Sequence, residues 1–292
     1  MKPVVIKPAS HEDWLKEREY GVGASEVGAV LGLSPYETPF SLWLKKTKQV
    51  EPEPENEAML MGHLLEDVVA KRWEMETGEK VIKASAKDII YVHPEHDFMR
   101  ATPDRVVRGR KKILECKTTV TSVDPDELYP HWLAQVQWQM YVTGIHDADL
   151  AWLVQGRYFG YAHIPYDPDF AEFMAERVTE FWKCVESGEE PDLISVNDFA
   201  LKGSDPGTTI EVDAETLSHV LSVAKLNDEI STYEEMRDAH KDSVKLFMGN
   251  NESLVMEGKT IATWKTGARG RIFLLKNKNI EELTKNNTED DS

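Results

Sequence analysis

Cysteine is scarce in this sequence, with Cys116 and Cys184 the only two among 292 residues. Two thiols cannot form a disulfide framework or a four-cysteine metal site, so we expect a protein of the reducing cytoplasm. Long apolar runs are also missing, and the first ten residues, MKPVVIKPAS, lack the apolar core of a secretory signal. No GxxxxGK[ST] loop is present, which argues against ATP use. The sequence predicts a globular protein without membrane association.

Positive charge is in short supply, with 34 Lys and Arg against 52 Asp and Glu and a formal net charge of −18. The imbalance lies mostly in the C-terminal part: residues 1–165 carry 20 basic and 25 acidic residues, whereas residues 166–292 carry 14 and 27. Phosphate contact is local, because salt screens exposed charges beyond about 10 Å. The charge therefore counts against nucleic-acid binding but does not exclude it, provided that basic groups line one cleft.

The strongest chemical signal lies in residues 98–119, FMRATPDRVVRGRKKILECKTT. Two β-type runs, 99–107 and 113–119, are separated by the basic turn 108–112. Short apolar runs joined by a glycine-containing turn are typical of a β-hairpin. We therefore expect the two runs to pair.

Three charged residues should converge on this hairpin. Glu115 and Lys117 share one face of the second run, because side chains alternate along a strand. Asp104 follows Pro103, where the chain must bend, so its carboxylate can project beside that run. Mg²⁺ takes oxygen ligands from one or two carboxylates, and a neighbouring lysine can orient or deprotonate a water. Pro-Asp followed by Glu-x-Lys is the pattern of PD-(D/E)XK nucleases, although Glu-x-Lys alone is a common surface ion pair.

Helical patterns precede the hairpin. Ser10 is a predicted N-cap of a helix that ends at Glu19, and Ser25 is the predicted N-cap of a second helix. The glycine-rich turn before Ser25 also suits an anion, although an ordinary capped helix explains the same pattern. A third helix should contain Phe40 to Leu44. A long helix over Ala58–Thr77 should bury a stripe at helical spacing, namely Met61, Leu65, Val68, Val69 and Trp73, with Glu66 beside it.

The remaining elements define the fold class. We expect strands at 85–93, 149–155 and 158–166, a helix over 128–143 and a helix over 168–186. This order predicts an α/β (α+β) fold with a mixed central β-sheet flanked by helices.

The region after Pro191 should be organised separately. We assign residues 1–195 to the core, 196–209 to a linker and 210–276 to a C-terminal module of a helical hairpin or arm and a small β-sheet. The basic loop 265–271 lies between the last two strands of that sheet. The polar residues 277–292 are expected to be disordered. The module binds DNA or a protein partner, or is a stabilising cap without a ligand; the sequence leaves both open.

Several motifs in order resemble one family. The sequence contains W-x-x-x-R, G-x-G-A-S-E, G-H-x-x-E, A-T-P-D, E-C-K-T and A-Q-V-Q-W-x-M within about residues 10–190. This series resembles the YqaJ-type viral recombinases, relatives of the phage lambda exonuclease within the PD-(D/E)XK nucleases. The resemblance implies a cytoplasmic 5′-to-3′ exonuclease that uses Mg²⁺, with Mn²⁺ as a substitute, on the ends of double-stranded DNA. It also implies a trimeric ring and a 3′ overhang handed to a single-strand annealing protein.

The resemblance also assigns roles to residues. Asp104 and Glu115 would bind the metal ion together with the backbone carbonyl of Cys116, and Glu66 would support a second metal position or its waters. Lys117 would hold and activate the nucleophile. The last assignments concern contacts with DNA: Gln135 near the scissile bond, and Arg18 and Ser25 at the 5′-terminal phosphate.

One departure from the family pattern concerns that phosphate. The lambda exonuclease has an arginine soon after its catalytic lysine, whereas residues 118–134 here contain no Lys or Arg. Arg100, Arg105 or His131 would have to compensate, or DNA ends are recognised differently. Two alternatives stay open: an endonuclease of the same superfamily, and a non-catalytic DNA-binding recombination protein. The presence of Asp104, Glu115 and Lys117 together argues against the second.

Overall fold

The computed structural model describes residues 2–51, 54, 56–83, 89–204, 206–267 and 270–281. These residues fall into two compact units, Met1–Asp205 and Pro206–Ser292. None of the helices in the described ranges is long and apolar enough to cross a membrane.

The first unit contains seven helices and eight strands in its described residues. The helices are α1 (His11–Glu19), α2 (Ala24–Val30), α3 (Pro39–Lys46), α4 (Glu57–Thr77), α5 (Pro130–Thr143), α6 (Pro168–Ser187) and α7 (Val196–Lys202). The strands are β1 (Val4–Ile6), β2 (Val81–Lys83), β3 (Ile90–Val92), β4 (Arg100–Ala101), β5 (Arg105–Val107), β6 (Ile113–Thr119), β7 (Asp147–Val154) and β8 (Tyr158–Pro165).

The strands form two sheets. The central sheet has the order β2-β5-β6-β7-β8, and a smaller sheet has the order β1-β3-β4. β6 and β7 are parallel, while the other neighbours in the central sheet are antiparallel. The parallel pair needs a crossover connection, which α5 supplies. The expected mixed sheet flanked by helices is therefore confirmed.

The two faces of the central sheet bind different helices. Leu114 and Cys116 of β6 pack against Val69 and Trp73 of α4. On the other face, Ile113 packs with side chains of α5. A larger cluster joins α2, α3, α5 and α6. Because β6 has hydrogen-bonded neighbours on both edges and helices on both faces, its side chains have fixed positions.

Several predicted boundaries are wrong. The run 99–107 is not one strand: β4 pairs with β3 and β5 pairs with β6, so the chain passes from one sheet to the other across residues 102–104. The predicted strand 85–93 is observed only as β3, and residues 84–88 lie outside the described ranges.

The N-cap of α2 also differs from the prediction. α2 begins after Gly23, whose N–H donates to Glu26 Oε2 at 2.8 Å, so Ser25 is already inside the helix. The Glu26 N–H, which an N-cap serine side chain at the Gly23 position would accept, donates instead to the Gly23 carbonyl at 2.9 Å.

The predicted stripe of α4 is only partly buried. Val69 and Trp73 are buried, whereas Met61 and Val68 are 41% and 50% exposed. The central sheet packs against the second half of this 21-residue helix. The apolar residues of the first half are not buried, although they have helical spacing.

The second unit contains one long helix and a small sheet. α8 (Ala214–Met248) is continuous over 35 residues, and β9 (Ser253–Met256), β10 (Lys259–Gly267) and β11 (Gly270–Leu275) form an antiparallel sheet. Of the two expected alternatives, a helical hairpin or a single arm, the structure shows the single helix, because the first glycine after Ala214 is Gly249 and nothing breaks the helix before it. The three predicted strands are confirmed.

The expected linker and tail also contain helical structure. α7 lies within the predicted linker 196–209, where Ser195 accepts a hydrogen bond from the Asp198 N–H and caps the helix. Residues 277–281 are helical, and residues 282–292 of the predicted disordered tail lie outside the described ranges.

Candidate active site

β6 places an acid and an amine side by side on the face that α5 covers. The Nζ of Lys117 lies 2.8 Å from Glu115 Oε1. Glu115 is 1% exposed, so its charge requires local partners. The predicted sharing of one strand face by these two residues is therefore observed.

α5 supplies two amides to the same carboxylate. Gln135 Nε2 donates to Glu115 Oε1 at 2.5 Å, and Gln139 Nε2 donates to Glu115 Oε2 at 2.7 Å. Gln135 also accepts from Lys117 Nζ at 2.6 Å. The two glutamines are four residues apart, which places them on one helix face. Glu115 thus has donors on both oxygens.

Asp104 lies where the chain passes between the two sheets. Its Oδ2 accepts the Cys116 N–H at 2.8 Å, which fixes the carboxylate beside the middle of β6. Burial raises the pKa of Asp104 well above its ordinary value, and the charges of Glu115 and Glu66 raise it further. Lys117 and the Cys116 N–H oppose this shift. Burial and the two neighbouring carboxylates thus disfavour the ionised form of Asp104.

Lys117 remains an ammonium in this environment. Burial alone would lower its pKa, but the charges of Glu115 and Asp104 outweigh burial and the pKa of Lys117 is raised. A protonated amine donates hydrogen bonds and can orient oxygen atoms.

Glu66 enters the cleft from α4 and is held by an arginine. Arg105, only 3% exposed, forms ion pairs with Glu66 and with Asp67, the second at 2.5 Å between Nη2 and Oδ1. Lys83 Nζ lies 3.9 Å from Glu66. Arg105 therefore ties α4 to the β5–β6 hairpin.

All these side chains except Asp67, Arg105 and Gln139 line one cleft of about 780 Å³. The predicted site residues in its wall are Arg18, Ser25, Glu66, Asp104, Glu115, Cys116, Lys117 and Gln135. Arg18 and Ser25 are exposed, and the Arg18 guanidinium lies 4.6 Å from the Trp14 ring centroid. The structure thus places these eight residues in the wall of one cleft.

The proposed substitutes for the missing arginine differ in position. Arg100 lines the cleft, but its guanidinium donates to the Glu17 carboxylate at 2.9 Å. The guanidinium of Arg105 is used by its two ion pairs. His131 stacks on Tyr129 with ring centroids 5.7 Å apart, and burial followed by the Lys117 charge lowers the pKa of its imidazole. Arg100 is the substitute that reaches the cleft.

A second acidic cluster lies at the start of β7. Among the described residues, Asp147, Asp149 and His163 place ligand atoms within 4.8 Å of one another. Lys112 Nζ already lies 2.8 Å from Asp149 Oδ1, and Trp73 Nε1 donates to Asp149 Oδ2 at 3.1 Å. The lysine supplies the positive charge that these acids need.

The main cleft fits a hard divalent cation. The carboxylates of Glu66, Asp104 and Glu115 all line it and supply oxygen donors from α4, the β4–β5 passage and β6. Burial, followed by the charges of Glu115 and Glu66, raises the pKa of Asp104, so a cation among these oxygens would stabilise its ionised form. Mg²⁺ prefers such oxygen donors.

Sequence reasoning missed two residues of this site. Gln139 was overlooked although it lies four residues after Gln135, a spacing that predicts a shared helix face. Arg105 was considered only as a phosphate ligand. No local pattern shows that its guanidinium turns towards α4, because Glu66 and Asp67 lie 39 and 38 residues away in sequence.

Comparisons with known proteins point to one family. Residues 13–146 match the model of the YqaJ-like viral recombinase domain. A Bacillus subtilis (strain 168) protein, the uncharacterized protein YqaJ, is 38% identical over 192 residues, which cover 63% of this chain and 59% of the relative. The chain thus spans about three fifths of that relative's length.

Two solved structures are also similar to the chain. An alkaline exonuclease from Laribacter hongkongensis matches with a TM-score of 0.49 and 22% identity, over 61% of this chain and 93% of that one. A phage-related exonuclease from Haemophilus somnus 129PT matches with a TM-score of 0.43 and 15% identity, over 59% and 97%.

The family assignment depends on the match to the domain model and on the Bacillus relative. Residues 13–146 include most of α1, all of α2 to α5 and every predicted site residue. Over these residues the chain is similar to the YqaJ-like viral recombinase domain.

Proposed function

We propose that this protein is a divalent-cation-dependent exonuclease that degrades one strand of linear double-stranded DNA. The observation that carries the proposal is the joint placement of Asp104, Glu115, Lys117 and Gln135 in one cleft. Two carboxylates, an ammonium and an amide around a common space suit phosphodiester hydrolysis. The 5′-to-3′ polarity, the 3′ overhang and the preference for Mg²⁺ are proposed from the family resemblance.

The residues of the cleft have distinct proposed roles. Asp104 and Glu115, with the Cys116 carbonyl, would hold a cation, and Glu66 would support a second position or its waters. When bound, the cation polarises the phosphodiester and lowers the pKa of bound water. Lys117 would hold and activate the attacking water and contact the phosphate.

Two further contacts concern the DNA strand. The Gln135 amide donates to Glu115 and accepts from Lys117. It could therefore exchange one of these hydrogen bonds for a contact with the scissile strand. Arg18 and Ser25 are exposed in the cleft wall and are proposed to bind the 5′-terminal phosphate. Arginine suits this role because its planar guanidinium binds phosphate through paired hydrogen bonds.

The wider assembly is also a proposal. DNA ends would be the substrate, a trimeric ring the oligomer and a single-strand annealing protein the recipient of the product. The second unit would bind DNA or that partner. One residue of its expected basic loop, Arg271, is less available to DNA, because its guanidinium donates to the Gly249 and Asn251 carbonyls at 2.6 and 2.7 Å.

The test is digestion of end-labelled linear duplex DNA and of a closed circular plasmid, with and without Mg²⁺. Each linear substrate is prepared with and without a 5′ phosphate. We expect loss of one strand from the linear substrate, an intact plasmid, and no reaction without the cation. Lys117→Ala should abolish digestion without changing the circular dichroism spectrum.

Two results would contradict the proposal. Cleavage of the plasmid would identify an endonuclease instead. Full activity of Lys117→Ala would reject the assignment of the cleft.

A further inference from the structure

Gln139 is a fully buried amide with an unusual hydrogen-bonding state. Its side chain has 0% exposure, and its Nε2 donates to Glu115 Oε2 at 2.7 Å. Its Oε1 is buried and has no hydrogen-bond partner among the described residues. The amide cannot be reversed, since that would place its oxygen against the carboxylate.

An unpaired buried oxygen disfavours the folded state, because the oxygen loses its hydrogen bond to water without replacement. A methionine of similar length would fill the same space on α5 without that loss. Packing alone therefore does not account for a glutamine at this position. The group that benefits from it is the Glu115 carboxylate.

The donors to Glu115 differ in their access to the cleft. Lys117 and Gln135, which contact Oε1, both line the cleft and will meet DNA or a cation. Gln139 lies behind the carboxylate and contacts Oε2 from the protein interior. When the first two donors exchange partners, the Gln139 contact still fixes the direction of the carboxylate.

We propose that Gln139 is a positioning residue that orients Glu115 and thereby sets the affinity of the cleft for its divalent cation. This inference rests on the proposed function of the same cleft. Gln139 itself touches neither DNA nor the cation. Residues that orient metal ligands by hydrogen bonds characteristically change metal affinity when they are replaced.

The experiment compares two buried glutamines of α5. Gln139→Met removes the contact with Glu115. Gln137→Met is the matched control, because Gln137 is 6% exposed and its amide binds the Pro165 carbonyl and the Asp167 N–H instead. Mn²⁺ binding to the DNA-free proteins is measured by electron paramagnetic resonance, and digestion of linear duplex is measured over a range of Mg²⁺ concentrations.

We expect Gln139→Met to weaken Mn²⁺ binding about 10- to 100-fold. Its digestion rate should recover at high Mg²⁺, because a loss of cation affinity is overcome by mass action. Gln137→Met should bind Mn²⁺ as the wild-type protein does. If Gln139→Met does not fold, Gln139→Asn replaces it: its amide is one methylene shorter and should give the same loss of affinity.

Two outcomes would overturn the inference. Unchanged Mn²⁺ affinity in the Gln139 variants is one, and a loss of digestion that high Mg²⁺ does not restore is the other. The proposed function fails separately, if the wild-type protein neither binds Mn²⁺ nor digests DNA.

Discussion

α5 in the first unit and α8 in the second show how differently two helices with apolar residues are used. Nine of the 14 residues of α5 are buried, including the polar Gln137 and Gln139. In α8, Met248 is the one buried residue among 35. Leu226 and Ile230 of α8 are 54% and 55% exposed.

The difference comes from the neighbours of each helix and not from its own residues. α5 lies between the central sheet and the cluster that includes α2 and α6, so even its polar side chains are enclosed. α8 is one continuous helix and does not fold back on itself, so no second half of a hairpin covers its apolar residues. The spacing of apolar residues predicts which face of a helix is hydrophobic, but the rest of the chain decides whether that face is buried.

The largest expected effect concerns buried charge. The first unit buries the Asp104 carboxylate, and burial disfavours its ionised form. Asp104→Asn should lower DNA digestion at least about 100-fold, because several kcal/mol of charge stabilisation depend on the cation that Asp104 would hold. In EDTA, the melting temperature of this variant should equal or exceed that of the wild-type protein, because a buried negative charge beside Glu115 and Glu66 is removed.

Asp67→Asn is the matched control for this experiment. The Asp67 side chain is 73% exposed and contacts Arg105 outside the cleft wall. We expect digestion by this variant to stay near the wild-type rate. An active Asp104→Asn protein would remove Asp104 from the site.

Packing energies should separate the two helices directly. Met140→Ala in α5 should cost about 2–5 kcal/mol of unfolding free energy, because Met140 is fully buried and its truncation leaves a cavity. Leu226→Ala in α8 should change it by no more than about 0.5 kcal/mol. Urea unfolding of both variants measures the contrast. A large cost at Leu226 would mean that α8 is covered in solution by a partner.

Removal of the second unit tests its role. A protein ending at residue 205 should keep the circular dichroism spectrum of a mixed α/β unit, because the core clusters lie within the first unit. We expect it to release DNA several-fold sooner during digestion or to lose recruitment of the annealing partner. Processivity on long duplex DNA is the measurement. A truncated protein that equals the full chain in both respects would favour a simple cap.

The smallest expected effect concerns a carboxylate at the end of α4. The N–H of Val81 and the ammonium groups of Lys71 and Lys80 hold the pKa of Glu74 down to about 2. A depressed pKa contributes stability above the ordinary glutamate value, and this stability is lost as the pH falls through about 2. Glu74→Gln should therefore cost about 1–2 kcal/mol at pH 7 and less at pH 3.

Urea unfolding at both pH values measures this difference. Arg72 and Glu76 form an exposed pair on the same helix, so Glu76→Gln is a suitable control. An equal cost for Glu74→Gln at pH 7 and pH 3 would contradict the prediction.

The sequence predicted those parts of the site that depend on one strand. Alternation along β6 placed Glu115 and Lys117 together, and the structure shows them in contact. Long-range relations were less accessible. The split of 99–107 between two sheets depends on β3, and the ion pairs of Arg105 depend on α4. Neither partner is evident from the local sequence.

The same limit explains the errors in helix ends and linkers. Ser25 was a good N-cap by residue type, but Gly23, two residues earlier, is the N-cap, and its N–H donates to the Glu26 carboxylate. The segment 196–209 had a loop composition, yet Asp198 accepts from Thr38 Oγ1 at 2.5 Å and joins α7 to α3. A buried hydrogen bond to a distant element outweighed the local preference.

The passage of the chain from β4 to β5 affects where harmful substitutions can occur. Asp104 lies between two sheets, because Arg100–Ala101 pairs in one and Arg105–Val107 pairs in the other. Substitutions in the smaller sheet β1-β3-β4, for example at Val4 or Val92, would shift the position of the Asp104 carboxylate without contacting it. Loss-of-function variants should accordingly occur also in β1 and β3, which contain none of the predicted site residues.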